Sequence, residues 1–176
     1  MNKTVSVDLK PVATLINAEN DPRMIVYMVD EFSKYTLAGI AKNKEADEVA
    51  KMILKKWCLL GPGYPSKSFF ADNGTEFKKK NLEEIARRIG IKICLTPSYL
   101  PWSNGVCERR HGTVDMVVRK LMEDDMNLKL EDALDHAIWA KNIEIGRHGK
   151  SPFQIILEDL LFCLVLMMVM GCPIQL

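Results

Sequence analysis

Residues 69–77 read FFADNGTEF, an aromatic, strand-like run that ends in a carboxylate, Asp72, followed at once by Asn73 and Gly74. A strand stopped by an ionisable group and a sharp turn is a fixed point from which the rest of the chain can be laid out. Ser66 to Ala71 is expected to be that strand. KKKNLEEIARRI (78–89) then has the spacing of an amphipathic helix closed by Gly90, and IKICLTP (91–97) is a strand stopped by Pro97.

Toward the N-terminus, Val5, Val7 and Leu9 alternate with Ser6 and Asp8, which predicts a short strand with Asp8 turned away from the apolar face. NAENDPR (17–23) is a polar turn, and MIVYMVDEF (24–32) and YTLAGIAK (35–42) are expected to pair as strands joined through Glu31 to Lys34. EADEVAKMILKKWCLL (45–60) places Val49, Met52, Ile53, Trp57 and Leu60 at helical spacing, and GPGYP (61–65) ends it. Toward the C-terminus, residues 98–102 are loop, and a helix from Ser103 aligns Val106, Val114, Val117, Val118 and Leu121. A second helix, 129–143, brings Leu134, Ala137, Ile138 and Ala140 to the core. The order β-β-β-α-β-α-β-α-α predicts an α/β protein, a mixed five-stranded sheet flanked by helices.

A chain of 176 residues fits one domain, and 48% apolar with 27% charged residues excludes disordered and collagen-like classes. The net charge of +1 gives no overall basic footprint for a nucleic-acid partner. Cys58, Cys94, Cys107, Cys163 and Cys172 are odd in number and contain no CxxC pair, as expected of reduced thiols in an intracellular protein. His111, His136 and His148 have no cysteine at zinc-ligand spacing, and MNKTVSVDLK lacks the apolar core of a signal peptide. Leu160 to Met170 is an apolar run too short for the roughly 18 to 20 residues that span a bilayer, so no membrane partner is expected.

Three acids stand at ends of regular elements: Asp8, Asp72 and Glu108. Strand ends in a mixed sheet can bring such groups together, and carboxylates so placed repel unless a cation lies among them. Hard divalent ions, Mg²⁺ or Mn²⁺, suit oxygen ligands and serve phosphoryl transfer. Taken singly, Asp72 before Asn-Gly is equally a turn former, and Glu108 equally a helix-dipole partner.

Asp72 and Glu108 are separated by 35 residues. With that spacing, VSVDLKP, YMVDEFSKYTLAGI, FFADNGTEF, TPSYLPWSNGVCERRHGTV and ALDHAIWAKNIEIGRHGKSPFQIIL together resemble the retroviral-type integrase catalytic core, most of all that of Ty3/gypsy-like retrotransposons. The resemblance covers about residues 4 to 157. It implies an RNase H-like fold and metal-dependent DNA 3′-end processing and strand transfer, with Asp8, Asp72 and Glu108 as catalytic metal ligands for two Mg²⁺ or Mn²⁺ ions. Asp8 and Asp72 would bridge the ions, with Asp8 and Glu108 completing their shells. It also implies DNA as partner, a homodimer or higher homo-oligomer, and a nuclear site of action.

Around these acids, Asn73, Gly74 and Gly105 are expected to support the site structurally, with Gly74 free to take positive φ. Trp102, Ser103, Asn104, Arg109, Arg110, Lys78 and Lys79 are the candidate DNA contacts; the basic ones form local groupings of the kind that touch phosphates. Ser103 or Asn104 serves equally as a helix cap, and Trp102 equally as packing. Trp57 and the apolar face of 128–139 are candidates first for the core and then for an oligomer interface. Several retroviral relatives carry basic residues four and seven positions after the glutamate, where this chain has Gly112 and Asp115. Residues 1–157 are thus expected to form the catalytic core and 158–176 an atypical apolar tail. The tail's departure from the family pattern, and the lack of zinc-binding and basic flanking domains, suggest a truncated or rearranged element. The alternative function is a relic that binds DNA or a protein without catalysing integration.

Overall fold

The computed structural model describes residues 4–16, 20–62, 68–71, 92–95, 101–146, 149–158 and 161–162; at 70, 71, 92, 93, 95 and 101–110 it describes the backbone alone. The expected helix over 78–89, the turn at 72–74 and most of the tail lie outside the described residues. The elements are β1 (Thr4–Pro11), α1 (Val12–Ile16), β2 (Met24–Asp30), β3 (Thr36–Ala41), α2 (Ala46–Ile53), β4 (Ser68–Ala71), β5 (Lys92–Leu95), α3 (Pro101–Asp124) and α4 (Leu130–Ile143). A further helical stretch covers 152–158. Among the described residues no helix is long and apolar enough to cross a membrane.

The sheet has five strands in the order β3-β2-β1-β4-β5. β2 pairs antiparallel with both β1 and β3, whereas β4 pairs parallel with both β1 and β5. Every position of β2 is buried, as a strand covered on both faces requires. Val5, Val7, Met24, Val26 and Met28 pack on one face with Val49, Ile53 and Trp57. Ile25, Tyr27 and Ala38 pack on the other with Val12 and Leu15 of α1, Val114 and Val118 of α3, and Leu134 and Ala137 of α4. The alternation read in β1 therefore holds, but the face opposite the valines is partly roofed by helix, so that Ser6 and Asp8 are only half-buried.

The β2–β3 connection shows why the strand stops at Asp30. Its buried carboxylate accepts from the Ser33 backbone N–H and from Ser33 Oγ, both at 2.7 Å, closing an Asx-type turn. Lys34 then takes a positive φ of 67°. Across the sheet, buried Asn142 of α4 donates to Thr36 O at 2.7 Å and accepts from Thr36 N at 2.9 Å, tying that helix to the first residue of β3.

Four expectations need correction. The chain over 12–16 is a short helix that the apolar spacing did not announce: it follows Pro11, whose carbonyl accepts from Thr14 Oγ1 at 2.7 Å. So short a helix depends on tertiary contacts, and Arg119 of α3 supplies them by donating to Thr14 O and Leu15 O. Next, α3 begins at Pro101, because proline has the φ of a first helical residue and no N–H to leave unpaired. Trp102, Ser103, Asn104 and Gly105 thus belong to helical turns, and Ser103 lies past the capping position.

The third correction lies at the end of α2. A π-helical turn, Leu54–Leu59, continues α2, with Leu60 N donating to Lys55 O. Trp57 is fully buried beside Tyr35, as its spacing predicts, but the wider turn breaks the 3.6-residue phase and Leu60, which the same spacing placed with it, is exposed. Trp57 is core and not interface. Finally, Ala140 of α4 is exposed, although Leu134, Ala137 and Ile138 are buried as the spacing predicts.

Candidate functional site

Asp8 lies on β1 directly opposite Tyr27 of β2, on the face roofed by α3. Both of its oxygens are engaged. Oδ1 accepts from the backbone N–H of Leu9 at 2.9 Å, and Oδ2 stands 2.9 Å from Nδ1 of His111. The Asp8 side chain remains 30% exposed, whereas that of His111 is almost wholly buried. An ionised carboxylate offers about four lone-pair positions, so roughly two remain for a cation. That donor set fits a hard divalent ion.

The contact is held from behind. The His111 ring stacks on Tyr27, with centroids 4.2 Å apart and planes at 16°. Tyr27 donates its hydroxyl to Oδ1 of Asp115 at 2.6 Å, and the other oxygen of Asp115 pairs with Lys10 of β1. Burial, first, and then the hydrogen bond to Asp115 and the charges of Asp115 and Asp8 push the Tyr27 phenol far above its usual range. Tyr27 is therefore a permanent donor at any physiological pH.

His111 and Asp115 are spaced four apart on α3, and Asp8 and Lys10 two apart on β1, so each pair projects from one face of its element. The two contacts between them fix the axial position of α3 on the sheet. Residue 108 precedes His111 by one helical turn, about 4.5 Å of rise. Val7 pairs with Ala71 in the parallel register, and in the sequence Asp8 follows the one and Asp72 the other. Asp72, Asn73, Gly74, Lys78 and Lys79 lie outside the described residues. Trp102, Ser103, Asn104, Gly105, Glu108, Arg109 and Arg110 are placed by the backbone of the first turns of α3. No group of three His, Cys, Asp or Glu arranged to hold a metal occurs among the described residues.

Lys10, Tyr27, His111 and Asp115 were not singled out from sequence as site residues. The signals existed: His111 and Asp115 follow Glu108 at three and seven positions, the spacing of one helix face. At one of the two positions where retroviral relatives carry basic residues, this chain has Asp115, which pairs with Lys10 of β1. Beside this pair a groove of about 530 Å³ is lined by Lys10, Gly112, Met116, Arg119 and Lys120 together with acids. Three cations face the three carboxylates of Asp115, Glu123 and Asp124, so the groove has no net charge to draw a phosphate.

Solved structures with this architecture include the integrase catalytic core of HTLV-2 in complex with magnesium, in its trimeric form. It superposes with a TM-score of 0.73 at 24% identity, over 88% of this chain and 95% of that one. A chain of the simian T-cell lymphotropic virus intasome in complex with PP2A regulatory subunit B56 gamma gives 0.77 at 24% identity, over 88% of this chain and 54% of that one. The catalytic core of BIV integrase gives 0.72 at 24%, over 90% and 96%. The chain has the retroviral integrase core fold.

By sequence, the chain is similar to retroviral and transposon Pol polyproteins. It is 30% identical over 114 residues to the Pol polyprotein of transposon 412 from Drosophila melanogaster, covering 65% of this chain. It is 29% identical over 129 residues to the Gag-Pro-Pol polyprotein of Human T-cell leukemia virus 2, covering 72% of this chain. In each case the chain spans 9% of the relative's length. The model of the TnsB C-terminal domain matches residues 42–124, from the end of β3 through α3.

Proposed function

We propose that this chain is a retrotransposon-type integrase catalytic core that performs metal-dependent phosphodiester transesterification on DNA. The observation that carries the proposal is the partly exposed, doubly anchored Asp8, set at the junction of β1, the strand that leads to Asp72, and the helix that bears Glu108. Those three carboxylates would hold two Mg²⁺ or Mn²⁺ ions, and the HTLV-2 core of the same fold is described in complex with magnesium. When bound, such ions polarise the scissile phosphate and stabilise the attacking and leaving oxygens.

In end processing, water attacks a phosphorus near the element's end, the bond to the 3′ oxygen breaks, and that oxygen leaves as a 3′ hydroxyl. In strand transfer that hydroxyl attacks a target phosphorus, forming one phosphodiester and releasing the target strand's own 3′ hydroxyl. Trp102, Ser103, Asn104, Arg109 and Arg110 on the first turns of α3, with Lys78 and Lys79 after Asp72, would orient the DNA. Asn73, Gly74 and Gly105 would support the turn and the helix start. Such work implies the nucleus as its place.

A homo-oligomer is part of the same proposal. The HTLV-2 core is described in dimeric and trimeric forms, and here Trp139, Phe153 and Leu157 leave apolar surface exposed. Mn²⁺-dependent disintegration of a branched DNA, the reverse of strand transfer, tests the chemistry with little need of flanking segments. Activity lost in Asp72→Asn and Glu108→Gln is the expected result. No activity in a folded, metal-binding wild type would instead favour the relic that binds without cutting.

A further inference from the structure

We propose that His111 is the positioning residue of Asp8, its Nδ1–H locking the carboxylate in the one orientation that presents its free lone pairs to a divalent cation. The inference rests on the metal-binding role of Asp8 proposed above and adds a residue that role does not contain. A carboxylate anchored only through Oδ1 by its neighbour's backbone N–H still turns about its Cβ–Cγ bond. Holding Oδ2 as well removes that rotation. His111 is suited to the task because its own ring cannot swing: it is buried, stacked on Tyr27, and Tyr27 is fixed in turn by its hydroxyl on Asp115.

The short Nδ1 to Oδ2 distance requires a proton on Nδ1, while Nε2 is buried without a hydrogen-bond partner among the described residues. The chain from Lys10 through Asp115, Tyr27 and His111 to Asp8 thus runs from α3's second contact with the sheet back to the candidate metal ligand. Hydrogen-bonding partners of this kind typically change metal affinity 10- to 100-fold when removed.

Two substitutions separate the donor from the ring. His111→Phe keeps a flat ring against Tyr27 and deletes the Nδ1–H. His111→Asn deletes the ring but places an amide N–H as many bonds from Cβ as Nδ1 was. The measurement is Mn²⁺ affinity of the full chain by titration calorimetry, beside the thermal melt of each variant. The proposal expects His111→Phe to melt cooperatively and bind Mn²⁺ about 10- to 100-fold more weakly. It expects His111→Asn to melt lower yet bind within about threefold of wild type, far less than a lost partner would cost.

Wild-type affinity in His111→Phe, or equal weakening in both variants, would overturn the positioning role while leaving Asp8 as a ligand. If His111→Phe fails to fold, His111→Leu against His111→Asn decides the same point, since both lack the ring and only one has the donor. A wild type that binds no more Mn²⁺ than Asp8→Asn would overturn the metal role itself, and the positioning role with it.

Discussion

The two faces of the sheet are built differently. On the α2 side, Val5, Val7, Val26, Met28 and Trp57 form an apolar cluster in which the indole N–H is buried without a partner. On the α3 side, the same strands bury Tyr27 among apolar residues, and His111 and Asp115 lie beside it. Buried polar groups stabilise a fold less than apolar residues of similar volume, and an unpaired one costs about 1–3 kcal/mol. The first face holds the domain together; the second carries groups whose arrangement matters more than their burial. The difference implies that substitutions on the α2 face act on stability alone, while those on the α3 face also act on the site.

Trp57→Ala should have the largest effect on folding, a loss of about 3–5 kcal/mol from cavity formation. Chemical denaturation would show it as a lower midpoint, and an unchanged midpoint would mean that the π-helical turn does not seat the indole as described. Asp115→Leu should cost about 1–3 kcal/mol, because the Tyr27 hydroxyl is then buried without an acceptor. Unlike Trp57→Ala, it should also weaken Mn²⁺ binding by loosening Tyr27 behind His111. A loss of stability with metal affinity intact would erase the contrast between the faces.

Alkaline pH sharpens the same contrast. The Tyr27 phenol is raised by burial and by Asp115, so the folded chain keeps a proton that the unfolded chain releases near pH 10. Stability should be fully present below that point and decline above it, by up to about 1.4 kcal/mol per pH unit for one such group. Tyr35, raised by burial, acts in the same direction. Urea midpoints between pH 9 and 11 should fall in wild type and fall less steeply in Tyr27→Phe; parallel slopes would contradict the assignment. The smallest effect is expected at the surface. Lys51→Ala, which breaks the exposed pair with Glu48 one turn away, should cost no more than about 0.5 kcal/mol.

Much of this architecture was legible in the sequence because it is written in local periodicity. The period-2 pattern of β1 and the apolar run of β2 announced the strands, and the polar stretch from Glu31 to Lys34 punctuated them. The helix over 45–53 and the core positions of α4 followed from 3.6-residue spacing. Where periodicity changes within an element, the reading failed: the π-helical turn at Leu54–Leu59 moved Leu60 outward, and Pro101 opened α3 earlier than Ser103 suggested.

Of the site, Asp8 was legible as a carboxylate opposed to an apolar face. Its partner was not, because the Asp8–His111 contact joins residues far apart in the chain, and neither neighbourhood announces the other. The same holds for Tyr27 and Asp115. Both contacts depend on the axial setting of α3 on the sheet, which no pattern of spacing encodes.

The central claim is that Asp8, Asp72 and Glu108 form one divalent-metal site. Anomalous diffraction from crystals soaked in Mn²⁺ tests it most directly. The account predicts manganese within ligand distance of a free lone pair on Asp8, shared with Asp72 and Glu108, and with DNA bound a second ion about 3.5 to 4 Å from the first. Manganese bound elsewhere on a well-ordered chain, with the Asp8 carboxylate bare, would contradict it.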